Sequence, residues 1–193
     1  MPKIKQSPKL PPEKRREQLL AAARKLFLKK GYRGTSTDQI ARQAGLTKGA
    51  LYHHFRTKED ILMALMQNEG CRAGELLQAL PDGSTHPVDF LRTVLGTKTK
   101  RDTSDLRNLV DFWVQGMRIP RVRKYLEDQY LLMQDCFVKK VDRSFGRTEQ
   151  ARRQMAEFTL AFFDGLAARS CVQSGKLNME AQLKFFEKLL ECK

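Results

Sequence analysis

The chain has 193 residues, of which 41% are hydrophobic and 30% charged. That balance excludes a disordered chain and is enough to bury a core without disulfide or metal staples. No uninterrupted apolar run approaches the ~20 residues of a membrane helix. The basic start (Lys3, Lys5, Lys9) leads into Leu10-Pro11-Pro12 and a charged run, not into the apolar segment of a secretory signal, so a cytoplasmic protein with no membrane partner is expected. The net charge of +14 is unevenly placed: residues 1–60 hold fifteen basic and five acidic residues, a net of +10, which leaves +4 for residues 61–193. A polyanion-binding face is therefore expected at the N-terminal end. Cys71, Cys136, Cys171 and Cys192 form no Cys-x-x-Cys pair and have no histidine at zinc-ligand spacing, which predicts free thiols, no metal site and no cofactor.

Residues 1–11 read as a flexible basic arm, in which Lys3, Lys5 and Lys9 either solubilise the chain or add phosphate or minor-groove contacts. Pro12 suits a first helical position, where its missing N–H costs nothing. Leu19, Leu20, Ala23, Leu26 and Phe27 then recur at helical spacing, and Gly31 stands where a left-handed residue ends the helix. Gly34 marks a second break. Ser36 with Gln39 has the capping-box pattern and predicts a short helix carrying Ile40, Ala41 and Ala44 inward and stopping at Gly45. Thr47 caps the next short helix, with Leu51 and Phe55 on its buried side. Thr57-Lys58-Glu59-Asp60 opens a further helix, whose apolar stripe from Ile61 to Leu80 passes Gly70 and Gly74, where a bend is expected.

Pro81-Asp82-Gly83-Ser84 is the clearest loop, and everything after it reads as helix. His86-Pro87 opens a segment with Leu91, Val94 and Leu95; Leu106, Leu109, Val110, Trp113, Val114 and Met117 follow the helical period. Pro120 begins a long helix lined by Val122, Leu126, Tyr130, Met133, Phe137 and Val141 and expected to run to about Gly146, after which Thr148 caps another. That helix carries Met155, Phe158, Phe162, Phe163, Leu166 and Ala167, up to Gly175. The final helix has two adjoining stripes, Met179, Leu183, Phe186 and Leu190 beside Phe185 and Leu189. A face that wide exceeds what one neighbour covers, which points to a two-fold homodimer through the last two helices, with intramolecular core as the plainer alternative. The fold class expected is all-α.

Two short helices joined by a tight glycine turn, in the most basic third of the chain, fit a helix-turn-helix whose second helix, Thr47–Phe55, enters the major groove. The run Gly31-Tyr32-x-x-Thr35-Ser36-x-x-x-Ile40-Ala41-x-x-Ala44-Gly45-Leu46-Thr47-x-Gly49-x-x-Tyr52-x-His54-Phe55-x-x-Lys58-x-x-Ile61-Leu62 resembles the DNA-binding domain of the TetR family of bacterial transcriptional repressors, over roughly residues 13–66. Thr35, Ser36 and Thr37 stand at one helix N-terminus and Lys58 at another, where hydroxyls, free N–H groups and the dipole favour a phosphate. The resemblance implies that Lys48, Gly49 and Tyr52 face base edges and that Thr47, His53 and His54 approach the backbone or groove walls. Lys48 is the first candidate for base readout, through guanine O6 or N7. Ser36 and Thr47 are equally readable as plain helix caps and Tyr52 as a packing aromatic. His53 and His54, about 100° apart on a helix, cannot chelate a metal as an i, i+4 pair does.

The resemblance further implies a helix-turn-helix domain over residues 12–58, and over 59–193 a helical effector-binding and dimerisation domain. The partners implied are a palindromic double-stranded DNA operator, a second copy of the chain and a small effector. The aromatic and sulfur-bearing residues Trp113, Met117, Tyr130, Met133, Cys136, Phe137 and Phe162 suit an apolar or aromatic effector, though residues at helical spacing are core by default. The function expected is a ligand-released repressor. The alternative is an effector-less nucleoid-associated or structural DNA-binding protein on the same scaffold. No nucleophile elbow, zinc-protease motif, Walker loop or dinucleotide-binding fingerprint is present, so no enzymatic activity is expected.

Overall fold

The computed structural model describes residues 11–95, 110–111, 113–173 and 177–191. Lys3, Lys5 and Lys9 of the expected arm, together with Leu106, Leu109, Gly175 and Cys192, lie outside the described residues. The described part is helical: α1 (Pro12–Lys30), α2 (Thr37–Gln43), α3 (Lys48–His54), α4 (Lys58–Gln78), α5 (Pro87–Leu95), α6 (Pro120–Lys140), a 3-10 turn (Arg143–Phe145), α7 (Glu149–Val172) and α8 (Met179–Glu191), with further helical residues at 110–111 and 113–116. Two compact units are present, Met1–Asn68 and Glu69–Lys193, and the division between them falls within α4.

The local signals for helix starts are realised in the backbone. Ser36 and Gln39 form a complete capping box at α2, Thr47 accepts from the Ala50 N–H at α3, and Thr148 accepts from the Ala151 N–H at α7. At α4, the Thr57 hydroxyl accepts from the Asp60 N–H (3.1 Å) while the Asp60 carboxylate accepts from the Thr57 N–H (3.0 Å). Each pair satisfies donors that the first helical turn leaves free. In the first unit α1 packs on α2 and α2 on α3. Leu19, Ala23, Ile40, Leu51, Ile61 and Leu62 are fully sealed there, with Phe27 and Phe55 nearly so.

The core of the second unit joins Val88, Phe90 and Leu91 of α5, Phe137 of α6, Phe163 and Leu166 of α7 and Leu183 and Phe186 of α8. Phe90 and Phe137 meet edge to face at 5.1 Å, a favoured aromatic geometry. One expectation is corrected here: the helix expected to reach Gly146 ends at Lys140. There the chain straightens so that Val141 bridges Thr85: the Thr85 N–H donates to the Lys140 carbonyl and the Asp142 N–H to the Thr85 carbonyl, both at 3.0 Å. Asp142 then starts the 3-10 turn by accepting from the Ser144 N–H. The backbone groups of the Pro81–Thr85 loop need partners, and the end of α6 supplies them.

The helix α4 continues through Gly70 and Gly74. A Cβ at Gly70 would lie 2.5 Å from the Tyr125 hydroxyl and 2.9 Å from Gln129 Oε1, the ends of two α6 side chains. The far end of α4 is also held by α6. Lys140 is buried, donates to the carbonyls of Gln78 (2.9 Å) and Leu80 (2.6 Å), and lies 2.7 Å from Asp82 Oδ1. A cation thus meets the carbonyls that the last turn of a helix leaves unpaired. Lys140→Met is expected to lower the stability of the chain by about 2 kcal/mol, the scale of hydrogen bonds to a charged donor. The urea midpoint checks it, and a midpoint equal to that of the wild type refutes it.

Candidate nucleic-acid interface

The turn between α2 and α3 is closed by backbone bonds in the Schellman pattern. The Leu46 N–H donates to the Ala41 carbonyl (2.9 Å) and the Gly45 N–H to the Arg42 carbonyl (3.0 Å), with Gly45 at φ +66°. That is the region L side chains avoid, and glycine enters it freely. The small buried Ala41 and Ala44 fit beneath the turn, and Gln18 of α1 donates to the Ala44 carbonyl at 2.9 Å. Gly31 also has positive φ, +73°, but its ψ of 164° sends the chain out extended, a correction to the left-handed cap expected there. The result is a short, rigid α3 whose Leu51 is sealed while Thr47, Lys48, Gly49, Tyr52 and His53 are exposed.

These exposed residues form one continuous face with the start of α2. Lys48 Nζ lies 2.9 Å from Asp38 Oδ1 and 5.9 Å from the centre of the Tyr52 ring, and the Tyr52 hydroxyl is 3.2 Å from that of Thr37. The Asp38 carboxylate raises the Lys48 pKa, chiefly through their hydrogen bond, so Lys48 stays charged. Both partners are largely exposed, so the pair is a weak tether that another anion can replace. Gly49 offers open space where a side chain would stand. His53 and His54 lie edge to face at 5.3 Å. Partial burial, followed by the electrostatic influence of His53, Arg15 and Arg16, lowers the His54 pKa, which favours its neutral ring at neutral pH. Among the described residues, no group of three His, Cys, Asp or Glu side chains is disposed to hold a metal.

Four of the expected contact residues are used within the protein. Thr35 is buried, and its hydroxyl donates to the Gly31 carbonyl at 2.9 Å. Ser36 and Thr47 are helix caps. Lys58 donates to the carbonyls of Tyr32 (2.9 Å) and Thr35 (2.8 Å) and lies 4.3 Å over the Tyr32 ring. Burial lowers its pKa. Lys58 therefore pins the segment that leads into α2.

Of the effector candidates, Trp113, Met117 and Tyr130 line one cavity of about 460 Å³, together with Gly116, Arg123, Leu126, Glu127 and Asp164. Phe137 is sealed in the core of the second unit, and Cys136 and Phe162 pack against that core. Met133 is half-buried on α6. Asp164 was missed from sequence. The available signal was its position as the sole charged residue between Glu157 and Arg169, in the most apolar part of α7. The Tyr130 hydroxyl donates to Asp164 Oδ2 at 2.7 Å, while Oδ1 is buried with no hydrogen-bond partner. Burial pushes the Asp164 pKa up to about 6 and raises that of Tyr130.

Two family models match the chain: one described as bacterial regulatory proteins, tetR family, over residues 19–65, and one described as BetI-type transcriptional repressor, C-terminal, over residues 88–191. The second alone covers more than half of the chain. The HTH-type transcriptional repressor AcnR of Corynebacterium diphtheriae is 32% identical over 114 residues, 54% of this chain and 58% of its own. The HTH-type transcriptional regulator UidR of Escherichia coli K12 is 25% identical over 126 residues, 65% of this chain and 64% of its own. The chain thus spans about three-fifths of the length of these two relatives. Among solved structures, Salmonella enterica GusR is similar at a TM-score of 0.73 and 23% identity, over 95% of this chain and 99% of that one, which is a likeness of fold.

Two expected outcomes follow from the geometry. Gly45→Ala lowers stability by about 1 kcal/mol because of its positive φ, whereas Gly49→Ala, at a helical position with free space, raises it by about 0.5 kcal/mol; denaturant titration of both variants separates the signs. The folded state holds the Asp164 proton more tightly than the unfolded chain does. The contribution of Asp164 to stability is therefore present at low pH and is lost as pH rises from the ordinary 3.8 through about 6. Tyr130, Glu127 and Arg123 are the polar groups that line the cavity with it. Asp164→Asn should remove that loss and raise the melting temperature at pH 7.5, and an unchanged or lower value refutes it.

Proposed function

The chain belongs to the TetR family of bacterial regulatory proteins, and from that premise we propose that it is a homodimeric, ligand-released repressor that sets two α3 helices in successive major grooves of a palindromic operator. The observation that carries this reading is the rigid α2-turn-α3 unit presenting Lys48, Gly49 and Tyr52 outward beside the hydroxyl of Thr37. Lys48 reads a base, exchanging Asp38 for guanine acceptors. Gly49 lets the helix backbone come close, and Tyr52 reaches the same edge. Ser36, Thr37, Thr47, His53 and His54 flank them toward phosphates, which fix register without reading sequence. Thr35 and Lys58 act by holding the segment before α2.

The homodimer reading rests on an apolar stripe left uncovered within one chain. Phe158, Ala161, Gly165, Ala168 and Val172 recur at alternating steps of three and four along α7 and are all exposed, beside exposed Phe185 and Leu189 of α8. Small residues at its centre let a partner helix approach, and the same stripe on a second copy makes the contact isologous. The effector would occupy the cavity at Trp113, Met117 and Tyr130. If it prefers the subunit arrangement that misspaces the α3 helices, effector and DNA oppose each other through one equilibrium.

In vitro selection from random duplex DNA at near-physiological salt is expected to enrich a palindrome. Lys48→Ala should relax preference at the base it reads by about 1–3 kcal/mol. Phe185→Glu should shift sedimentation to monomer and weaken operator binding. Strong, salt-sensitive binding with no enriched sequence would favour the nucleoid-associated reading, and absence of DNA binding would overturn both.

A further inference from the structure

We propose that Asp38 is a specificity-determining residue of the α2–α3 face, one that withholds Lys48 from phosphates and yields it to a base edge. The inference rests on the base-reading role of Lys48 proposed above and deepens it by naming the residue that makes that role selective.

Asp38 is a charge out of keeping with its surroundings. Between Glu17 and Glu59 the chain holds nine basic residues and one acidic residue, Asp38. A carboxylate repels the phosphate backbone, so on a face that meets DNA it lowers affinity for every sequence. Helix formation does not require it. Ser36 and Gln39 already complete the capping box of α2, and the dipole of a seven-residue helix favours a first-turn acid only weakly. An ion pair between side chains as exposed as Asp38 and Lys48, 49% and 59%, also adds little to stability.

What Asp38 does hold is the base reader. Lys48 Nζ donates to Asp38 Oδ2 at 3.3 Å and stands 2.9 Å from Oδ1, which is closed off from solvent. Arg42, one turn further along α2, directs its Nε to the Asp38 backbone carbonyl instead (3.4 Å). The Lys48 ammonium also lies 5.9 Å from the centre of the Tyr52 ring, whose hydroxyl is 3.2 Å from that of Thr37. It is thus placed between a carboxylate of α2 and a ring of α3.

Drawing Lys48 away uncovers the carboxylate, and the replacement decides how unfavourable that is. A phosphate brings a full negative charge beside Asp38, so part of what Lys48 gains is lost to repulsion. Guanine brings O6 and N7, two neutral acceptors side by side that replace the two carboxylate oxygens and add no net charge. Asp38 therefore weakens contacts with phosphates more than contacts with guanine. Specificity, a difference of affinities, rises while affinity falls.

The test compares the wild type, Asp38→Asn, Lys48→Ala and the double variant on two duplexes of equal length, the palindrome recovered by selection and a scrambled sequence, over a salt series. Asp38→Asn is expected to tighten the scrambled duplex about fivefold for each subunit that gains a phosphate contact at about 0.15 M salt, and to steepen the slope of log affinity against log salt by about 0.9 per contact. The palindrome should gain less, so the ratio of the two affinities falls. With Lys48→Ala as background the same substitution should leave slope and ratio where they were; a carboxylate acting on DNA without Lys48 would shift them in both backgrounds. Melting temperatures measured without DNA separate a change of contacts from a change of fold. The proposal is overturned if Asp38→Asn tightens both duplexes equally, if it leaves the scrambled duplex no tighter, or if its effect persists in the Lys48→Ala background. A recovered palindrome with an unchanged ratio overturns the role of Asp38 and leaves the operator reading standing. No palindrome, with a scrambled-duplex slope that steepens only when Lys48 is present, defeats the operator reading and leaves the withholding of Lys48 from phosphates standing.

Discussion

A single positive φ at Gly45 sets the geometry on which the exposed face of α2 and α3 depends. With Gly45 in that region, the Leu46 N–H turns back to the Ala41 carbonyl and α2 closes without a further turn. The seven residues of α3 then begin where Thr47 caps them. A helix of two turns has little stability of its own. It is held because Leu51 is sealed and because Gln18 of α1 fastens the turn at Ala44. The exposed residues of α3 therefore owe their fixed direction to a backbone constraint and one buried leucine.

The same economy governs the polar groups. Two lysines are taken out of the surface charge and spent on carbonyls, Lys58 on Tyr32 and Thr35 before α2, and Lys140 on Gln78 and Leu80 at the end of α4. An ammonium has three donors and no acceptor, which suits the termini and turns where carbonyls go unpaired. Lys48 differs in that its partner is an exposed carboxylate, so its charge is held loosely, in the place where exchange for another anion costs least.

What was legible in the sequence follows from the range of each interaction. Capping pairs three residues apart, Ser36 with Gln39 and Thr57 with Asp60, were readable because both partners lie in the same turn. The apolar periods of α1, α5 and α7 were readable for the same reason, as was the exposed Phe185 and Leu189 stripe. The end of α6 was not, because it is decided by Thr85, far away in the chain, whose backbone groups claim Lys140 and Asp142. The neighbours of Gly70 were not legible either, because Tyr125 and Gln129 lie on another helix. At the site, the residue types of the α2-turn-α3 face were legible. The inward hydroxyl of Thr35 and the buried role of Lys58 were not, since orientation depends on the fold around them. The effector candidates separated only in three dimensions: seven residues shared one description in sequence, and three of them line the cavity.

The helix α6 carries two loads, and this bears on how a ligand in that cavity would act. Arg123, Leu126, Glu127 and Tyr130 line the cavity, while Tyr125 and Gln129 fill the space at Gly70 of α4 and Lys140 caps the end of α4. Residues one position apart on a helix point about 100° from each other, so one rigid element meets the cavity and α4 on different faces. Contiguity by itself moves no equilibrium; a ligand shifts one only by binding one arrangement of α6 more tightly than the other. The Tyr130–Asp164 hydrogen bond joins α6 to α7 at the wall of that cavity.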